Sequence, residues 1–383
     1  MEFTLIAASL STALVLSNAA SILLAASQLK RRTTIAPPAG KSPPVSVVIP
    51  WRGVEPFTQE TLERAFSLDW PRYELIFCVA HGDDPVVRLI RAAIDRFPKV
   101  PARLLIGEDR FSANPKLNNC VKGWEAARHN WVVLADSNVL MPRDYIQHLM
   151  AAWRTDTGLV CSTPIGSRPE GFWAEVECAF LNTLQARWQY AGEALGLGFA
   201  QGKSMLLNKP VLDANGGIRA LAAEAAEDAA ATKLVSAIGL RVNLVAAPFE
   251  QPLGRRTLGT VWSRQARWAR LRRVTFPLFF TPEILTGAVV PLAFALLAAA
   301  SAGVSLPLTA IAVLAAFYLP ECALAWSKGW HLSPRTVAAM MARDLMIPAM
   351  WARGWVGGAV DWRGNAMTIG TKAAELEEAS SRA

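Results

Sequence analysis

Residues Phe3 to Ser27 carry no charged side chain and are apolar or small almost throughout. A helix of about 20 or more such residues crosses the hydrocarbon core of a bilayer. Whatever follows must therefore fold beside a membrane. A cleaved signal peptide is the alternative, but there the basic residues precede the apolar run. Here Lys30-Arg31-Arg32 follow it. Basic residues stay on the cytoplasmic side, so the N-terminus is expected outside. Ile284 to Ala302 and Val304 to Trp326 are two further apolar runs, read as a hairpin across the bilayer. Pro307 and Pro320 interrupt the second, which a membrane helix tolerates. Val337 to Val360 is also apolar but holds Arg343, Asp344 and Arg353. Charges make a full span costly, so this stretch is expected to be interfacial or re-entrant.

Only 18% of the residues are charged and 52% are hydrophobic, against about 25% charged in soluble domains. Between the apolar runs the pattern changes. Thr33 to Pro44 holds four prolines and reads as a linker. Val45 to Ile49, Tyr73 to Ala80, Ala102 to Ile106 and Trp131 to Ala135 are short strand-like runs. Glu60 to Ser67 and Pro85 to Arg96 show helical spacing between them. Alternating strands and helices predict an α/β domain with a parallel sheet, with ligands beyond the C-terminal strand ends. The expected organisation is a membrane helix over 1–29 and a linker over 30–44. The α/β domain follows at 45–275, with an interfacial helix near 260–275. A membrane hairpin at 276–330 and an interfacial segment with a polar tail at 331–383 complete it.

The net charge of +8 admits a nucleic-acid partner in principle. The basic residues crowd beside apolar stretches instead, as at Lys30 to Arg32 and Arg264 to Arg273. That favours an anionic lipid surface and a diphosphate ligand, with no nucleic acid. The five cysteines form no CxxC pair and the four histidines show no zinc spacing. They read as reduced packing residues.

Several acidic and basic residues stand where a divalent cation, a diphosphate or a proton transfer could use them. Asp136 directly follows the Trp131–Ala135 run, in Asp136-Ser137-Asn138. A carboxylate there faces the ligand crevice and suits a divalent cation and a diphosphate; a turn or capping aspartate is the plain alternative. Asp83-Asp84 precede Pro85 and a helix, as base or ribose contacts, as helix caps, or as both. Glu227-Asp228 lie in an alanine-rich stretch, and Asp228 is the candidate general base. A solvated helix face competes with that reading. Arg264 and Arg267 are three apart and share a helix face; they suit a diphosphate, with Trp268 lining an acceptor site. A helix lying on anionic lipid is compatible with this. Lys116, in Asn114-Pro115-Lys116-Leu117-Asn118-Asn119, is a further phosphate candidate in what reads as a polar loop.

Taken in order, these pieces resemble the ceramide glucosyltransferase group of GT-A glycosyltransferases, a family 2-like or family 21 assignment. The matching pieces are Pro50 to Glu55 (PWRGVE), Gly82 to Pro85 (GDDP), Asn114 to Asn119, Asp136 to Asn138, Gly202 to Leu206 (GKSML), Ala226 to Asp228 and Arg264 to Trp268. Trp362-Arg363-Gly364 also fits. The resemblance implies a Rossmann-like nucleotide-sugar domain and an inverting transfer from a UDP-sugar, with Mg2+ or Mn2+, to the primary hydroxyl of ceramide. It implies Asp228 as base, with Arg264, Arg267 and Trp268 as the (Q/R)xxRW element. It places Pro50, Glu55, Asp83, Asp84, Lys116, Asn119 and Asp136 around the donor, and Asp136 and Asn138 on the metal. Eukaryotic members carry a histidine within the stretch matching Asn182 to Gln189, where this chain has Gln185. The alanine-rich composition and short linker suggest a bacterial inner-membrane protein with a cytoplasmic catalytic domain. A hopanoid or other lipid acceptor, a processive polysaccharide synthase and a non-enzymatic membrane adaptor are the competing readings.

Overall fold

The computed structural model describes residues 1–36, 42–356, 359–362 and 365–368. The centre of the expected linker, Arg363-Gly364 and the polar tail lie outside the described residues. The chain forms two compact units.

One unit comprises Thr33–Pro164 and Leu197–Pro252. It is built on a seven-stranded sheet of β1 (Val45–Trp51), β2 (Tyr73–Val79), β3 (Ala102–Ile106), β4 (Trp131–Ala135), β5 (Thr157–Cys161), β6 (Ser204–Asn208) and β7 (Arg241–Leu244). Their order is β3-β2-β1-β4-β6-β5-β7. The β3-β2-β1-β4 half is parallel, with Val45 level with Tyr73 on one side and Trp131 on the other. β1, β2 and β4 are buried on both faces, which is why they read as continuous apolar runs, while β3 at the sheet edge is only half-buried. The four expected strands and the helices Thr58–Ala65 and Val86–Arg96 are present. β6 runs antiparallel to β4 and to β5. The fold is therefore a mixed α/β sheet with a parallel-dominated core.

The Asn114–Asn119 stretch is not a loop. Asn114 caps the Pro115–Ala126 helix, its side chain accepting from the N–H groups of Lys116 and Leu117, with Pro115 at the first helical turn. This helix lies close against β1 and β2. A Cβ on Gly123 would sit 2.5 Å from Val48 Cγ1 and 2.6 Å from Cys78 Sγ. Glycine is thus required for the approach.

The other unit comprises Met1–Arg32, Ile165–Gly196 and the chain from Leu253 to the end of the Thr336–Trp355 helix. The helices Glu2–Gln28 and Leu306–Lys328 are long and apolar enough to cross a membrane. The Pro277–Leu285 and Val289–Ala302 segments form a third such element only if counted together across a 43° bend. Lys328 Nζ donates to the carbonyls of Leu29 at 2.6 Å and Ala26 at 3.2 Å. The C-terminal ends of the first and last spanning candidates therefore meet, and a cation caps the exposed carbonyls there. A hairpin that returns the chain to the side of residue 29 requires this geometry.

A buried ionic network ties these helices together. Glu321 accepts from Arg187 Nη1 at 3.0 Å and from Arg343 Nη1 at 2.9 Å. Arg343 Nε donates to Asp344 Oδ1 at 2.7 Å, and Asp344 Oδ2 accepts from Tyr318 OH at 3.0 Å and from Ala288 N–H at 2.8 Å. Arg187 also reaches Asn18 Oδ1 in the first helix. Two guanidinium groups face two carboxylates, and Arg187, Glu321 and Arg343 have no solvent exposure. The interfacial or re-entrant expectation for 337–360 rests on the cost of carrying charges through a full span. Arg343 and Asp344 are paired within the helical unit, and the Thr336–Trp355 helix that carries them is not among the described helices long and apolar enough to cross a membrane. Removing one partner of a buried charge network costs about 3–5 kcal/mol. Glu321→Ala should therefore lower the melting temperature of the detergent-solubilised protein by several degrees, whereas Glu224→Ala, on an exposed pair with Lys233, should leave it within about a degree.

Candidate active site

Register places the first part of the site. Ala135 at the end of β4 pairs with Ser204 at the start of β6. The Asp136 N–H extends this ladder by donating to Lys203 O at 2.9 Å. Asp136 thus leaves the sheet at the C-terminal end of a parallel strand with Lys203 opposite. Two ammonium groups converge on its carboxylate, Lys116 Nζ at 2.7 Å from Oδ1 and Lys203 Nζ at 2.6 Å from Oδ2. Lys203 Nζ also donates to Asn138 Oδ1 at 3.0 Å.

Lys116 bridges to a second acidic segment. Its Nζ lies 2.7 Å from Glu227 Oε1 and donates to Gly202 O at 2.5 Å. Glu227 Oε2 accepts from Asn114 Nδ2 at 2.7 Å. Glu227 is 4% exposed, so the solvated-face alternative does not describe it. Next to it, at the start of the Glu227–Ala237 helix, Asp228 Oδ2 accepts from Gly202 N–H and Oδ1 from Ala229 N–H, both at 2.8 Å. Gly202 passes between these groups with no room to spare. A Cβ there would fall 2.6 Å from Glu227 Oε1 and 2.9 Å from Lys116 Nζ.

The electrostatics separate the carboxylates. Burial pushes the Asp136 carboxyl up, but Lys116 and Lys203 outweigh it and hold the group well below the usual carboxylate range. Burial also opposes the Lys116 charge, and Asp136 and Glu227 overcome it, holding the ammonium well above its ordinary value. Asp228 goes the other way. Burial and the adjacent Glu227 carboxylate push it up to about 6, against partial relief from Lys116 and two backbone N–H groups. One carboxylate stays ionised and another is poised near neutrality, the separation that acid–base chemistry uses.

The remaining sequence candidates are distributed as follows. Asp84 accepts from Gly53 N–H at 2.9 Å and from Val86 N–H at 2.9 Å, tying the loop after β1 to a helix start. Asp83 is exposed in the turn before it, and Pro50 and Glu55 are half-buried at and beyond the end of β1. Asn119 is 5% exposed, and its amide is used internally, by Cys78 O at 2.8 Å and by Lys122. In the helical unit, Arg264 Nη1 lies 2.5 Å from Glu177 Oε1, and its guanidinium sits 4.6 Å from the Trp268 ring centroid. Arg267 is half-buried on the same Leu258–Thr275 helix. Gln185, in the π-helical turn Phe180–Ala186, donates to Gln265 Oε1 at 2.8 Å, between the two arginines in sequence. Lys203, Glu227 and Asn114 are the site residues that sequence reasoning left without a role. The Asn-Pro pair at 114–115 is a helix-start signature, and a charged residue just before an apolar run, as at Lys203, is a strand-end signal.

Among the described residues no group of three or more His, Cys, Asp or Glu side chains is arranged to hold a metal. Mg2+ or Mn2+ does not require one, since one or two protein oxygens and substrate phosphates suffice. Asp136 and Asn138 supply hard oxygen donors that already share a cation, the Lys203 ammonium. The donor set fits such an ion.

The family model for glycosyl transferase family 21 matches residues 12–374, and the chain belongs to that family. It is 28% identical over 245 residues to ceramide glucosyltransferase 1 of Caenorhabditis elegans, covering 63% of this chain and 53% of that one. It is 37% identical over 114 residues to a ceramide glucosyltransferase of Komagataella phaffii, covering 29% and 22%. The chain thus spans about half or less of the length of these relatives. A solved mannosyltransferase of Pyrobaculum calidifontis, in complex with GDP-Man and Mn2+, overlays at a TM-score of 0.48 with 21% identity, covering 89% of this chain and 99% of that one.

Asp228 yields a pH-dependent stability prediction. Its folded pKa lies above the ordinary value, so it favours folding at low pH, and that contribution is lost as pH rises through about 6. Asp228→Asn should melt higher than the parent at pH 7.5 in detergent. The difference should shrink as pH falls towards 4; a gap that is constant or reversed would mean Asp228 is not held against its charge.

Proposed function

We propose that this chain is an inverting glycosyltransferase that moves one sugar from a UDP-sugar to the primary hydroxyl of a ceramide-like lipid, at the cytosolic face of a bacterial inner membrane. Membership of family 21 supports the reaction class. The curated relatives are ceramide glucosyltransferases, which supports the acceptor. The observation that carries the reading is Asp228, a carboxylate raised to about 6 beside the Lys116-bridged Asp136 and Glu227.

In this reading Asp228 accepts the proton from the acceptor hydroxyl as that oxygen attacks the anomeric carbon on the face opposite the leaving diphosphate. A base near neutrality holds its charge at working pH yet takes a proton readily. Each Asp228 oxygen accepts one backbone N–H, which fixes the carboxylate and leaves a lone pair on each. Asp136 and Asn138 would hold Mg2+ or Mn2+, which when bound neutralises charge on the departing diphosphate. Lys116 keeps Asp136 and Glu227 at fixed separation. Asp83 or Asp84, with Pro50 and Glu55, borders the nucleotide, and Asn119 braces the Pro115–Ala126 helix against β2 through Cys78 O. Arg264 and Arg267 would hold diphosphate charge, with Arg264 anchored by Glu177, and Trp268 beside the Arg264 guanidinium would line the acceptor site.

Asp228→Asn should cut turnover by about a hundredfold or more, the scale of a lost general base, while UDP-sugar affinity stays within about twofold of the parent. Loss of donor binding together with activity would remove Asp228 from the base role. In the parent, kcat/KM should fall tenfold per pH unit below about 6, where Asp228 protonates.

A further inference from the structure

The side chain most firmly placed on the proposed metal ligands is itself a cation. Lys203 Nζ is 2.6 Å from Asp136 Oδ2 and 3.0 Å from Asn138 Oδ1, and the other Asp136 oxygen is engaged by Lys116. The position is set by the backbone. The Asp136 N–H to Lys203 O bond and the Ala135–Ser204 pairing fix the two residues opposite each other in the antiparallel ladder. The Lys203 side chain is 14% exposed, so its ammonium is held within the site and not in bulk water. A divalent ion on the Asp136–Asn138 oxygen pair and an ammonium on the same pair would be neighbouring like charges, and they exclude each other.

We infer that Lys203 is an internal counter-cation that holds the divalent-ion position until the donor arrives. This rests on the assignment of Asp136 and Asn138 as metal ligands. A diphosphate brings anionic oxygens to which the Lys203 ammonium transfers, and Asp136 and Asn138 are then released to the metal. Free metal therefore binds weakly and UDP binding and metal binding are coupled, each strengthening the other. Lys203 is in this sense a positioning residue that sets the order of binding. Nothing in the sequence motifs points to this, because the lysine belongs to a segment whose partner strand ends some 67 positions earlier in the chain.

The test is Mn2+ binding to the purified full-length protein in detergent, followed by the electron paramagnetic resonance signal of free Mn2+, with and without UDP. Lys203→Met should bind Mn2+ alone at least about tenfold more tightly than the parent, because one adjacent positive charge is gone. Its gain in affinity on adding UDP should be smaller than the parent's. Lys203→Arg retains the cation and should keep the parent's weak binding of Mn2+ alone, which separates loss of charge from loss of fold. If Lys203→Met and Lys203→Gln bind Mn2+ alone no better than the parent, while parent binding in the presence of UDP is lost in Asp136→Asn, the counter-cation role is overturned and the metal ligands stand. If no protein binds Mn2+ under either condition, both are overturned. Binding by Lys203→Met where the parent binds none supports the role.

Discussion

An ammonium group shared between two carboxylates organises the α/β unit's site. Lys116 meets Asp136 from the end of β4 and Glu227 from the start of a helix almost a hundred residues later. Without it, those two carboxylates and Asp228 would lie close together, mostly out of water, with their repulsion opposed by Lys203, the Asn114 amide and backbone N–H groups. With it, Asp136 is held ionised while Asp228 carries the residual strain and rises to about 6. The difference between the two acids arises because Lys116 and Lys203 both bear on Asp136, whereas Asp228 sits beside the Glu227 carboxylate with only Lys116 and two backbone N–H groups to offset burial. Gly202 is the steric condition for this arrangement, since a methyl group there would occupy the space between Lys116 and Glu227.

The helical unit solves a related problem. Polar and charged groups on apolar helices are expensive in lipid and must find partners inside the protein. Glu321 neutralises Arg187 and Arg343 at once, and Asp344 completes the balance. Such networks contribute less to net stability than their count of contacts suggests, but they fix which helices meet and in what register. Lys328, by capping the end of the first helix, fixes the direction of the last spanning candidate in the same way.

Much of this was legible in the sequence because it depends on local patterns. The strands at 45, 73 and 131 are buried on both faces and show as apolar runs, the edge strand at 102 shows as a shorter one, and Asp136 follows from the strand at 131. β5, β6 and β7 were not called as strands from the sequence. β6 is framed by Gly202-Lys203 and the Asn208-Lys209-Pro210 turn, and its identity comes from pairing with two distant strands. Lys203 lies within the Gly202–Leu206 piece, but its place opposite Asp136 comes from that pairing alone. Asn114 to Asn119 resembled a loop because asparagines are abundant, although Asn-Pro is also how a helix begins. The burial of Glu227 was hidden because a glutamate among alanines has the composition of a solvated helix. The partners of Arg343 were hidden too, since Glu321 and Thr183 lie on other helices.

The reaction itself is the claim from which the roles of these residues derive. It is tested most directly by incubating the purified protein with a panel of UDP-sugars, Mn2+ and a membrane lipid extract, and weighing the new lipid species by mass spectrometry. The account predicts one organic-extractable lipid gaining the mass of a single sugar residue, with one UDP released per product. An insoluble polymer, or no UDP release with any donor and lipid offered, would contradict it.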